Sequence, residues 1–261
     1  MAAATLEKVN WKYGTEDVRG KSVIITGGTT GIGRAIGLLL AAHGAKVLVF
    51  GRNQKDLDDA LNDIRSVAAD GGEVHGLTAD TSKQEDIERV FREADSVLGG
   101  VDILVNNAAL AAQGVTDMDY ADFEYVVRTN VVGYMACAKQ ALQRMMAKGR
   151  GHIVCVGSMS ADVKDKGSDV YVATKTAIAG FCDSLRKQVN EKGVKVTLVE
   201  PGKVGTNLSG DDPDIQKQEQ EIAEEKMLTS EDIAECVFYC VTQPWRCEIV
   251  NVEIRPHKQI I

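Results

Sequence analysis

Two rhythms of apolar residues alternate along the chain. Short β-branched runs occupy Ser22–Thr26, Lys46–Phe50, Glu73–Thr78, Val101–Val105, His152–Val156, Lys195–Val199 and Glu248–Ile254, and most are apolar at consecutive positions. Such runs predict strands covered on both faces. Between them, apolar residues recur every three to four positions over Arg34–His43, Gln54–Ala69, Ser82–Leu98, Asp119–Lys148, Val170–Glu191 and Ser230–Val241, which predicts helices. Strand and helix in strict alternation imply a parallel sheet with right-handed crossovers. The expected fold class is therefore α/β, a doubly wound domain of about seven parallel strands with helices on both faces.

Local signals set the boundaries. Gly44 follows His43 as a helix-ending glycine, and Ser82 with Glu85 forms an S-x-x-E capping box. Residues 1–20, which include Trp11 and Tyr13, precede the first strand as an extension, and residues 21–261 read as one domain. One stretch breaks the pattern: Asn207–Met227, NLSGDDPDIQKQEQEIAEEKM, is polar and acidic. It reads either as a mobile flap over a cleft or as a plain exposed helix.

Composition narrows the function classes. With 261 residues, 44% hydrophobic and 26% charged, the chain is long enough for a full core and too apolar for disorder. Lys and Arg number 30 against 38 Asp and Glu, a formal charge of −8, which argues against a nucleic-acid partner. The longest apolar stretches, such as Ile36–His43, fall far short of the roughly 20 residues that span a membrane. Met1–Asn10 lacks the basic start and apolar run of a secretory signal, so a cytoplasmic, reducing location is expected. Cys137, Cys155, Cys182, Cys236, Cys240 and Cys247 contain no C-x-x-C pair and read as free thiols. His43, His75, His152 and His257 are scattered without ligand spacing, so no metal is expected.

The chemistry begins at the first strand, which runs into Thr26-Gly27-Gly28-Thr29-Thr30-Gly31-Ile32-Gly33 and then a helix. Gly27 permits a tight turn, Gly31 lets backbone approach a pyrophosphate, and Gly33 lets the helix pack on the strand. The helix N-terminus supplies N–H donors and a positive dipole end. The turn reads as a nucleotide site, with an ordinary glycine-rich loop as the plainer alternative. At the end of the second strand, where a carboxylate would meet a ribose diol, the chain offers Gly51, Arg52 and Asn53. A guanidinium suits a 2′-phosphate, so NADP(H) is favoured and NAD(H) is the alternative. The plainer reading of Arg52 is a solvent-facing turn residue. Asp80, in Ala79-Asp80-Thr81, either holds an adenine amino group or caps the next helix.

Tyr171 and Lys175 stand four residues apart at the start of a predicted helix, on one face. A phenol of pKa about 10 is a poor base at neutral pH, and a neighbouring ammonium favours its phenolate. Thirteen residues before Tyr171, Ser158 ends an apolar strand at the carboxyl edge where such sheets place ligands.

With these motifs in order from Lys21 to about Ile254, the chain resembles a short-chain dehydrogenase/reductase of the branch with T-G-x-x-x-G-x-G and Y-x-x-x-K. The resemblance rests also on Asn106-Asn107-Ala108, Asn130, and Pro201-Gly202 with Thr206. It implies a Rossmann-like fold and hydride transfer at a carbonyl or alcohol. Tyr171 would be the acid/base, Ser158 the holder of the substrate oxygen, Lys175 the partner of the nicotinamide ribose, and Asn130 the support of a proton relay. The implied dinucleotide contacts run from Gly27, Thr29, Thr30, Gly31, Ile32 and Gly33 through Arg52, Asn53, Asp80 and Thr81 to Asn107, Ala108 and Ala109. They continue through Tyr171 and Lys175 to Pro201, Gly202, Val204 and Thr206. A homo-dimer or homo-tetramer is implied as well, through the long helices Asp119–Lys148 and Val170–Glu191.

The chain departs from the family pattern in places. Ala109 replaces the glycine of N-N-A-G, Thr30 stands where many NADP-preferring relatives carry a basic residue, and Lys203 places a charge beside the nicotinamide position. The usual V-D-G-G ending is replaced by Ile254-Arg255-Pro256, which resembles a subgroup of NADP-linked reductases. Asp162, Lys164, Asp165, Lys166 and Asp169 in the loop before Tyr171 read either as a solvated loop tip, the plainer alternative, or as the lining for a small polar substrate whose carboxylate Lys203, Lys164 or Lys166 would meet. The competing class is a non-catalytic dinucleotide-binding redox sensor, for which a broken tyrosine–lysine pair would be the sign. The pair is intact here. An extended-branch epimerase is disfavoured by the short chain beyond Lys175, and an enoyl reductase by the tyrosine–lysine spacing.

Overall fold

Val23, Ile24 and Ile25 in the first strand, β1 (Ser22–Thr26), point alternately to two sides and are completely buried on both. Two helical layers therefore have to cover the sheet. The computed structural model describes residues 15–69, 72–164, 166–206, 208 and 214–259, and Trp11, Tyr13 and Asp165 lie outside them. The strands are β1, β2 (Lys46–Gly51), β3 (Val74–Thr78), β4 (Ile103–Asn106), β5 (Gly151–Val156), β6 (Val194–Pro201) and β7 (Asn251–Ile254). All pair in parallel, in the order β3-β2-β1-β4-β5-β6-β7. The strand order reverses between β1 and β4, which opens a crevice at the carboxyl ends of those two strands.

One face is covered by α1 (Gly31–Ala42), α2 (Gln54–Val67) and α9 (Ser230–Val241). The other is covered by α3 (Gln84–Leu98), α5 (Gly133–Ala147) and α7 (Asp169–Val189). Ile24 joins the second core, while Val23 and Ile25 join the first, as period-two alternation requires.

The structure refines several sequence expectations. The 30-residue helix expected over Asp119–Lys148 is divided into α4 (Tyr120–Val127), a turn of π helix (Arg128–Val132) and α5. Periodicity cannot register one widened turn. The Ser82–Glu85 capping box does not form: α3 starts at Gln84 behind Lys83, with no side-chain cap. Asp80 instead accepts from the Ser82 N–H at 2.9 Å, and Asp86 accepts from the Asp80 N–H at 2.9 Å. A capping box does occur at α9, between Thr229 and Asp232. Gly44 takes φ +82° after α1, as expected of a helix-ending glycine.

The last strand is shorter than its apolar run. Glu248 accepts the Val196 N–H on its side chain, and the Thr197 hydroxyl donates to the Ile249 carbonyl, so side chains stand in for the ladder until the Leu198 N–H meets the Val250 carbonyl at 3.0 Å. Within Asn207–Met227 the described part holds an exposed helix, α8 (Ile215–Ala223), while Met227 is buried. All six cysteines are free thiols, four of them buried. Among the described residues no helix is long and apolar enough to cross a membrane.

His152 in β5 is buried, and its Nε2 lies 2.8 Å from Thr197 Oγ1. The Thr197 proton is committed to Ile249, so Nε2 carries the ring proton. Burial, helped by Lys195, pushes the imidazole down to about 3 from 6.5. The folded state therefore excludes a proton that the unfolded chain takes up below pH 6.5. Stability attributable to this residue is intact at pH 7 and falls as pH drops from 6.5 toward 3, by about 1.4 kcal/mol per pH unit. In His152→Gln, whose amide can still donate to Thr197, the loss between pH 6.5 and 5 should be smaller by about 2 kcal/mol. Urea unfolding of both proteins at the two pH values measures this; equal losses would refute it.

Candidate active site

The turn between β1 and α1 is shaped by backbone contacts. Gly27 takes φ +61°, and a Cβ there would sit 2.8 Å from Ala108 Cα. Asn107 Nδ2 donates to the carbonyls of Thr26 and Gly27, both at 3.1 Å, and the Thr26 hydroxyl oxygen accepts from the Asn107 and Ala108 N–H groups. The asparagine after β4 thus holds the glycine turn closed. Thr30, the N-cap residue of α1, makes no side-chain cap bond, so the first-turn N–H groups open toward a cleft without a protein acceptor from that side chain. Uncapped N–H groups at a helix start, approached through glycine, fit a pyrophosphate.

That cleft has a volume of about 890 Å³. Its walls include Gly27, Thr29, Thr30, Gly31 and Ile32 from the turn, Arg52 and Asn53 after β2, and Asp80 and Thr81 after β3. They continue through Asn107, Ala108 and Ala109 after β4, Ser158 after β5, Tyr171 and Lys175 on α7, and Pro201, Gly202, Val204 and Thr206 after β6. Gly33 lies beneath the turn, where its Cα faces the Gly27 carbonyl. Asn130 stands behind the wall.

At the outer end, Arg52 donates to the Tyr125 hydroxyl at 2.8 Å, and that hydroxyl donates to Asp80 at 2.9 Å. Burial pushes the Asp80 carboxyl up, but hydrogen bonds from Ser82 and Tyr125, with Arg52 nearby, hold it below its ordinary value. Asn53 caps α2 through the Asp56 N–H. Tyr125 was missed by sequence reasoning, since an aromatic on a helix carries no sign of what it faces across the fold.

At the inner end, Lys175 is buried and its Nζ donates to the Val156 carbonyl at 2.9 Å. The same carbonyl accepts from the Tyr134 hydroxyl at 3.0 Å. Lys175 Nζ stands 5.6 Å from the Tyr171 ring centre. Burial pushes the lysine down to about 8. Burial raises the Tyr171 phenol above its ordinary value, and a hydrogen bond with Ser158 opposes that rise. The ammonium, fixed on Val156, lies over the face of the Tyr171 ring. Asn130 is buried in the π turn; its side chain accepts from the Leu110 N–H at 2.8 Å and donates to the Leu110 carbonyl at 2.9 Å. It also reaches Thr174 Oγ1 at 3.2 Å. The widened turn lets one side chain bridge the loop after β4 to the helix of Tyr171.

The charged residues singled out for a substrate make contacts within the chain. Lys203 pairs with Glu221 on α8, Lys164 donates to the Asp162 carbonyl, and Asp169 accepts from the Val115 N–H. None of these, nor Lys166, lines the cleft.

Known proteins with this architecture match the chain broadly. The short chain dehydrogenase family model matches residues 21–217. An uncharacterized oxidoreductase of Staphylococcus aureus (strain MRSA252) is 32% identical over 90% of this chain and 97% of its own. A dehydrogenase/reductase from Sinorhizobium meliloti 1021 superposes with a TM-score of 0.80 at 29% identity, over 92% of this chain and 95% of its own. A short chain dehydrogenase from Burkholderia cenocepacia J2315, solved in complex with NADP, shares the fold at TM-score 0.80 and 24% identity, over 92% of this chain and 98% of its own. The chain is an oxidoreductase that belongs to the short-chain dehydrogenase/reductase family.

Proposed function

We propose that the protein is an NADP(H)-dependent dehydrogenase/reductase acting on a carbonyl or secondary alcohol of a small molecule. The observation that carries this reading is the placement of Ser158, Tyr171 and Lys175 on the wall of the cleft into which the glycine turn opens. A bound dinucleotide would supply or accept the hydride. Ser158 orients the substrate oxygen, and Tyr171, kept protonated at neutral pH by burial, donates a proton to that oxygen as it becomes an alkoxide. Lys175 is held for the nicotinamide ribose by Val156, and Asn130 fixes the helix that carries the tyrosine.

Two features favour the 2′-phosphate. Gly51 carries no carboxylate where a ribose diol would seek one, and a Cβ there would stand 2.5 Å from Thr29 Oγ1, so a longer side chain would have to displace Thr29. Arg52, next in line, is exposed at the mouth of the cleft and positioned by Tyr125. Arg52→Ala should weaken NADPH binding by roughly tenfold to a hundredfold, the worth of a charge-assisted hydrogen bond, and leave NADH binding nearly unchanged. Fluorescence titration with each dinucleotide tests this; equal affinities in the parent protein would move the reading to NAD(H).

A further inference from the structure

Outside the cleft, one group of side chains has a charge that the fold does not balance. Glu200, next to last in β6, is only 2% exposed. Its Oε2 accepts from Asn251 Nδ2 at 2.9 Å, while its Oε1 is buried without any hydrogen-bond partner. A buried carboxylate oxygen left in that state costs free energy unless something neutralises it. Two further carboxylates approach the Glu200 carboxylate. Glu253 is the register partner of Glu200 across the parallel pair of β6 and β7, and Asp162 comes from the short helical turn α6 (Ser160–Val163) that follows Ser158. One oxygen from each of the three lies within 4.8 Å of the other two.

Among the described residues none of these carboxylates pairs with a lysine, arginine or histidine. The other charged groups near Glu200 leave it without a direct ion pair. Asp183 on α7 adds negative charge and is itself drawn to Arg186 at 3.7 Å, while the buried Lys175 ammonium feels the Glu200 charge from a distance, its hydrogen bond going to the Val156 carbonyl. Burial first, then Asp162, Glu253 and Asp183, push the Glu200 carboxyl above its ordinary range against the pull of Asn251. Such a cluster is neutralised either by a proton or by a cation.

We propose that Asp162, Glu200 and Glu253 form a binding site for a hard divalent cation of the size of Ca²⁺. All three donors are oxygens, the ligand type that Ca²⁺ prefers, and Ca²⁺ holds such ligands at about 2.4 Å, so two ligands of one ion stand at most about 4.8 Å apart. The three side chains already meet that limit. Their backbone segments give the site a position that matters: Asp162 stands four residues after Ser158, and Glu200 directly precedes Pro201 and Gly202. An ion there ties the loop after β5, the end of β6 and the edge strand β7 together. The expectation of no metal weighed cysteines and histidines alone. These acids lie 38 and 53 residues apart in the chain, a spacing with no motif.

The test uses the full chain, stripped with chelator and titrated with CaCl₂ by calorimetry and by thermal melting, beside Glu253→Gln and Glu200→Gln. The proposal expects one saturable site per chain, a melting temperature that rises with Ca²⁺, and a loss of affinity of at least about tenfold in each variant. Glu253 is exposed, so its variant tests the site even if the buried Glu200→Gln unfolds. Absence of saturable heat and of any Ca²⁺-dependent melting shift in the parent protein would overturn the site. So would variants that bind as the parent does. A Glu200→Gln protein that melts higher than the parent, with Ca²⁺ inert in both, would assign the neutralising role to a proton and overturn it equally.

Discussion

Tyr171→Phe should lower turnover by on the order of 10²- to 10⁴-fold, the range for losing a general acid, while NADPH affinity stays within about twofold. The substitution removes one hydroxyl and little else. The ring keeps its place on α7, since the neighbouring bond runs from the Thr174 hydroxyl to the Tyr171 backbone carbonyl at 2.8 Å and does not involve the phenol. The pH dependence follows from burial. With the phenol held above its ordinary value, carbonyl reduction finds its proton donor charged with a proton throughout the neutral range. Lys175, pushed down to about 8, loses its positive charge as pH rises through that value, so reduction should decline above it. Alcohol oxidation needs the phenolate, which the raised phenol withholds over that interval, so its rise should come only at more alkaline pH. Steady-state loss of reduced-nicotinamide absorbance with a panel of carbonyls, alongside dinucleotide titration, measures both. A variant that keeps more than a tenth of the turnover would assign the acid to another group. A parent protein that binds NADPH tightly yet reduces nothing in the panel would favour the redox-sensor reading.

The parts of this molecule that were legible in the sequence are those encoded locally. Consecutive apolar residues in Val23–Ile25 or Ile153–Val156 have to be covered on both sides, and that alone implies a parallel sheet with two helical layers. Gly27, Gly31 and Gly33 announce a backbone approached closely, and the structure shows what approaches: Ala108, Thr206 and the Gly27 carbonyl. What stayed hidden depends on juxtaposition. Tyr125 acquires its role only because α4 brings it between Arg52 and Asp80. Tyr134 matters because it shares the Val156 carbonyl with Lys175. The π turn at Asn130 leaves the apolar rhythm nearly unchanged, so its sequence reads as uninterrupted helix. Charge was the least legible. Nothing near Lys203 in the sequence announced Glu221, which the fold sets against it, and Glu200 looked like one acid among many until the fold buried it.

The glycine turn yields a second large effect, because its tightest contact is with backbone and cannot relax by side-chain rotation. A Cβ at position 33 would stand 2.2 Å from the Gly27 carbonyl oxygen, 2.9 Å from its carbon and 2.6 Å from Asn107 Nδ2. Those are the atoms of the bond that closes the turn. Gly33→Ala therefore has to push α1 off β1 or break the Asn107 clamp, and either move disturbs Ile36 and Leu40, which are fully buried on the same helix. The expected cost is about 3 kcal/mol, the upper end for an overpacked core, or roughly 6–12 °C in melting temperature for a chain of this size. Dinucleotide binding should fall with it, since the displaced first turn of α1 carries the N–H groups aimed at the pyrophosphate. Gly180→Ala supplies the contrast: that glycine sits on the exposed face of α7 with nothing within 4 Å of a new Cβ, so alanine's helix preference should raise stability by up to about 1 kcal/mol. If both variants melt within a degree of the parent, the close approach at Gly33 does not restrain the turn, and the first helix is held on the sheet by its apolar face alone.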